Sequence, residues 1–182
     1  MTDNVGLSEA AIEAINQWPL FDNAIVRHGF APYMRDYELI VETAAATPDR
    51  RRSYPEGRYR YVFTHCVRAD VETRVRDDTW RASWADAFID YSEWEAAGCP
   101  AGFVWGVQYM DAYPGAKLVT GSQTATEWAA RLGKTMAEVI IETNAQEIRL
   151  VFHTLNVYKI AEGNPTTNEL HEIPPRDILV AT

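Results

Sequence analysis

From residue 58 onward the chain alternates. Tyr59, Tyr61, Phe63, His65 and Val67 fall on one face of an extended segment, and Arg58, Arg60, Val62, Thr64, Cys66 and Arg68 fall on the other. A side-chain period of two marks a strand with one buried face, here the ring-bearing one. Val71, Thr73 and Val75 keep the same parity, with room for a bend at residues 68–70. The same alternation occurs at Tyr37, Leu39 and Val41 against Glu38, Ile40 and Glu42, and AIVRHGF before it reads as a short partner strand. The clearest hairpin runs from Val139 and Ile141 through Asn144-Ala145 and back along Ile148, Leu150 and Phe152. Beyond it the parity flips to Leu155 and Val157, which predicts a bulge or kink at His153-Thr154.

Three segments switch to the helical period. Ser8 is positioned to cap a helix whose stripe is Ala11, Ile12, Ile15 and Trp18, ended by Pro19. The strongest helical signal spans residues 77–97, with Trp80, Trp84, Phe88, Tyr91 and Trp94 in register and Gly98 and Pro100 as the stop. TATEWAARLG is a short helix in which Thr124 and Glu127 match a capping box and Gly133 closes the end. Between the last two, Pro114-Gly115 predicts a type II turn joining strands around residues 103–112 and 116–120. Together these predict an α+β fold, a mainly antiparallel β-sheet covered by two to three helices. They place one domain over residues 1–160 and an extended C-terminal arm at 161–182, whose DILVAT segment offers an edge strand for a homodimer.

Composition narrows the setting. At 182 residues and 47% apolar content the chain needs no staples to build a core, and two cysteines, Cys66 and Cys99, are too few for a disulfide scaffold. The amino-terminal segment lacks a basic region and a long apolar run, so a cytoplasmic protein with no membrane span is expected. The net charge of −9 is unevenly spread. Residues 27–81 carry eleven arginines against nine acids, whereas the rest of the chain carries six basic residues against seventeen acids. That excess argues against binding duplex DNA and fits a basic protein partner.

Residues able to carry chemistry fall into a few groups. His65 and Cys66 are strand neighbours pointing to opposite faces, so they do not form a nucleophile pair. His28, His65 and His153 would make a metal site only if their three strands lie side by side, since no zinc-type ligand spacing occurs. Arg50, Arg51 and Arg52, followed by Tyr54 and Tyr59, form a basic-aromatic cluster suited to phosphate or single-stranded nucleic acid. Asp86 and Asp90 stand four apart on the helix that also carries Trp84 and Trp94, an acidic-aromatic surface for a basic partner. Hydrolase, Walker and dinucleotide fingerprints are missing, and nothing in the sequence requires a cofactor.

Two segments carry a family resemblance. AIVRHGFAPYMRDYELIVE at residues 24–42 and EIRLVFHTLNVYKI at residues 147–160 resemble the first and last strands of small bacterial YxiG-like proteins. The resemblance implies an uncharacterised bacterial protein, and because some of those proteins resemble immunity proteins that neutralise a toxin, it implies binding rather than catalysis. It supplies no active-site motif. Two functions are therefore expected: a binding protein with an acidic docking face, or a small-molecule or metal-dependent enzyme with a pocket lined by tryptophan and histidine.

Overall fold

The computed structural model describes residues 13–16, 20–43, 56–77, 80–81, 91–99 and 110–161. Within them lie nine strands in two antiparallel sheets. The first sheet contains β1 (Ala24–Phe30), β2 (Tyr37–Thr43), β3 (Gly57–Thr64), β5 (Met110–Asp111) and β9 (Thr154–Ile160), in the order β5-β1-β2-β3-β9. The second contains β4 (Arg68–Thr73), β6 (Gly115–Leu118), β7 (Ala137–Glu142) and β8 (Gln146–Phe152), in the order β4-β8-β7-β6. Two helices accompany them, α1 (Tyr91–Ala96) and α2 (Gln123–Leu132). The α+β class with antiparallel sheets is thus the observed one.

The core lies between the sheets. Tyr59, Tyr61 and Phe63 point inward with Leu39 and Val41 from the first sheet, against Val139, Ile141, Ile148, Leu150 and Phe152 from the second, all at most 1% exposed. Phe63 and Phe152 meet edge to face with ring centroids 4.9 Å apart, which joins the layers directly. The expectation of one sheet covered by helices needs this refinement: much of the apolar surface is buried by a second sheet. Helix α2 packs on the outside, where Ala125, Ala129 and Trp128 meet Val151, Met136 and Val67.

The sheets are continuous at a corner. β3 pairs with β9 up to Thr64 opposite Thr154, and β4 pairs with β8 from Arg68 opposite Val151. Two long strands therefore cross from one sheet to the other together, through residues 65–67 and through His153. The kink expected at His153-Thr154 is this sheet change. The bend expected at residues 68–70 falls earlier, because His65 takes a left-handed backbone with φ 47°. That turn swings Cys66 into the core at 5% exposure and leaves His65 at the corner, the reverse of their expected faces.

Two other expectations change. β5 pairs with β1 and β6 pairs with β7, so Pro114-Gly115 does not close a hairpin but carries the chain between sheets. The Tyr113–Pro114 peptide is cis, and Gly115, at φ 97°, lies where a Cβ would come within 3.1 Å of the Phe21 backbone. The cap of α2 is Ser122, whose Oγ accepts from the Ala125 N–H at 3.0 Å, in place of Thr124. Gly133 closes that helix in the left-handed conformation, as expected. Ile15, on the apolar stripe of the first expected helix, is buried in a helical turn at residues 13–16, while the remainder of that helix lies outside the described residues. So do residues 82–90 and the 162–182 arm.

Candidate functional site

The two outer sheet faces differ in how they pair their charges. On the first sheet, Glu42 stands opposite Arg58 and bonds it at 3.1 Å, and Glu38 meets Arg60 diagonally. Opposite charges across strands are the stabilising arrangement. On the second sheet, Glu72 of β4 stands opposite Glu147 of β8, which in turn stands opposite Glu142 of β7. Three carboxylates thus form one row across three strands, where like charges repel.

Two arginines temper this row. Arg74 reaches Glu142 at 2.7 Å and Glu147 at 3.5 Å, and Arg149 reaches Glu147 at 3.5 Å. Glu72 has no ion-pair partner among the described residues. In the neighbouring row Asp70 stands opposite Arg149 but bonds Arg68 at 2.6 Å. Arg149 gives its other nitrogen to Glu138 at 3.1 Å, and that hydrogen bond, more than opposing burial, raises the guanidinium above its usual pKa.

Glu138 anchors the site floor. It is only 5% exposed and accepts from the Ser122 hydroxyl as well as from Arg149, so one serine both caps α2 and holds the buried carboxylate. Between the start of α2 and strands β4, β8 and β7 lies an open cavity of about 490 Å³. Its lining includes Asp70, Glu72, Glu138 and Glu147 against Arg68 and Arg149, with Ser122, Gln123 and Thr124 at the helix end. Four carboxylates face two guanidiniums, so the cavity is a place for a cation rather than an anion.

The histidines separate into two environments. His28 stands between the sheets, with Nδ1 2.6 Å from the Tyr37 hydroxyl and Nε2 3.0 Å from Gln146 Oε1. Burial lowers its pKa despite the Gln146 bond, so a neutral ring that accepts from Tyr37 and donates to Gln146 satisfies both nitrogens. His65 and His153 instead meet at the sheet corner, ring centroids 5.8 Å apart and nearly perpendicular. Among the described residues no three His, Cys, Asp or Glu groups gather as a metal site, so the three-histidine set is not assembled there.

Beside that corner the β1–β2 loop is held by Asp36, 2% exposed. Its carboxylate accepts from Arg35 Nε at 2.9 Å, Arg35 Nη2 at 3.0 Å, the Tyr33 hydroxyl at 3.1 Å and the His65 backbone N–H at 2.9 Å. Burial alone would raise its pKa, but these hydrogen bonds outweigh burial and hold it below the usual carboxylate value. Cys66, by contrast, is pushed up to about 12, chiefly by burial, and is no nucleophile at neutral pH.

A family model described as YxiG-like protein matches residues 9–168. The chain belongs to the YxiG-like family. No curated protein matches it. Among solved structures, an uncharacterized protein from Neisseria gonorrhoeae is similar at 9% identity, with a TM-score of 0.36, covering 77% of this chain and 93% of that one. Among the described residues of this YxiG-like chain, no helix is long and apolar enough to cross a membrane.

Of the surfaces expected from sequence, Trp94 lies half-buried on α1, while Trp84, Asp86, Asp90 and the arginines Arg50, Arg51 and Arg52 lie outside the described residues. The YxiG-like cavity draws on a different set, which the sequence reading passed over. Its signal was present: Glu138, Glu142, Glu147 and Arg149 occupy the polar positions of the hairpin whose apolar positions defined the strands. Their opposition could be read only once β4 was known to flank β8 in register.

Proposed function

We propose that this YxiG-like chain is a binding protein that docks a basic protein partner on the outer face of its second sheet, in the manner of an immunity protein covering a toxin. The observation that carries this reading is the Glu72–Glu147–Glu142 row. Arg74 and Arg149 pair two of its members, but Glu72 faces Glu147 with no cation of its own among the described residues, and a partner's lysine or arginine would relieve that repulsion. The cavity beside the row has room for such a side chain and an excess of carboxylates to receive it. The net charge of −9 would steer a basic partner toward the chain, a long-range effect that weakens with salt.

Affinity capture from the native source tests the proposal. The expected result is one stoichiometric basic protein, released by raised salt and lost when Glu72→Lys and Glu147→Lys are combined. Equal capture by the charge-reversed variant, or no capture by the unaltered chain, would refute it.

A further inference from the structure

We infer that His65, packed against His153, is a pH-sensitive latch at the corner of the two sheets, closed while its imidazole is neutral and released when it takes up a proton. The pair sits where both crossing strands change sheet; the His153 ring is tied to one loop and the His65 backbone to another. His153 Nδ1 lies 2.7 Å from the Thr135 carbonyl, in the connection between α2 and β7, so Nδ1–H donates and the ring is fixed in one tautomer. The His65 backbone N–H donates to Asp36, and the Cys66 N–H donates to the Arg35 carbonyl at 2.8 Å, which fastens the β1–β2 loop. That loop presents Tyr33 at 57% exposure and Met34 at 79%, next to Phe30 at 44%.

The site cannot readily house a second proton on His65. Its Nδ1 is buried and has no hydrogen-bond partner, whereas an imidazolium needs acceptors at both nitrogens. The charged groups facing the ring are Arg35 and Asp36 from the β1–β2 loop, Lys134 from the α2–β7 connection and His153 from the opposite strand. Asp36 is the anion among them, and it is already engaged by Arg35, Tyr33 and the His65 backbone. A proton on His65 would set a third cation beside Arg35 and Lys134.

Burial first, then Arg35 and Lys134, lower the His65 pKa from 6.5. The sign follows: a released His65 binds a proton more tightly than a latched one. The latch therefore holds in full above pH 6.5 and loosens as pH falls below it. His65 would then swing outward, weakening the Asp36 and Arg35 backbone bonds and freeing the apolar loop.

Amide exchange of the full chain, resolved by NMR and corrected for intrinsic rates, tests the inference at about pH 7.5 and about pH 5.5. The expected result is a loss of roughly tenfold in protection at the Cys66 and Met34 amides on acidification, with the β7 and β8 amides unchanged. In His65→Asn, where asparagine tolerates the positive φ, that loss should vanish. In His153→Gln, which leaves His65 in place, it should shrink. Unchanged protection in the unaltered chain would overturn the latch, as would an equal loss in either variant. His28 remains in both variants, so its own titration does not imitate the result.

Discussion

The Cys66 thiol sits in the core and donates to the Arg68 carbonyl at 3.2 Å, having reached that place through the left-handed turn at His65. Its pKa rises from 9.0 to about 12, chiefly through burial, and burial likewise pushes the Tyr37 hydroxyl from 10.0 to about 12. Both groups are neutral in the folded and unfolded chain below pH 9, so they cost nothing there. Above it the unfolded thiol ionises first and the tyrosine follows, so folding stability should fall as pH climbs from 9 toward 12. Urea denaturation at about pH 8 and about pH 10.5 should show the lower midpoint at the higher pH, and a smaller difference in Cys66→Val. The faces of His65 and Cys66 were misjudged from sequence because simple alternation assumes an unbroken strand. A single residue at positive φ inverts the parity, and although histidine takes that conformation more often than most side chains, it does not announce it as glycine does.

At the scale of elements, α2 and β7 depend on the same side chain. Ser122 caps the helix through the Ala125 N–H and donates to Glu138, so its removal takes away a cap and leaves a buried carboxylate short of one donor. Ser122→Ala should cost about 1.5–5 kcal/mol, the sum of a lost cap and an undersatisfied buried acceptor, measured as a lower urea midpoint at unchanged slope. Most elements were legible in the sequence, because Tyr59, Tyr61 and Phe63 or Val139 and Ile141 alternate cleanly and fix both type and face. The cap was misplaced by two residues, since Thr124 and Glu127 satisfy the same sequence pattern that Ser122 satisfies in space. Pairing was less legible. Pro114-Gly115 looks local, yet its flanking strands β5 and β6 find partners in different sheets. Nothing in a linear pattern says which of two sheets a two-residue strand will join.

Across the whole molecule, the two outer faces differ in how fully their charges are paired. The first sheet pairs acids with arginines, as a face selected for stability would. The second pairs Glu142 and Glu147 with Arg74 and Arg149 but sets Glu72 opposite Glu147 with no cation of its own among the described residues. Glu72→Gln is therefore expected to stabilise the free protein by about 0.2–1 kcal/mol while weakening partner capture. Denaturation and capture of the same variant check the two halves of that trade-off separately. Such a cost is tolerable where a site is spent on recognition instead of folding.

The most direct measurement of the docking claim is an NMR titration of the labelled chain with a short arginine-rich peptide at low ionic strength. The account predicts shift changes centred on the amides of Asp70, Glu72, Glu142 and Glu147, reversed by added salt and absent in Glu72→Gln combined with Glu147→Gln. Changes centred elsewhere on the chain, or an undiminished response in that variant, would contradict it.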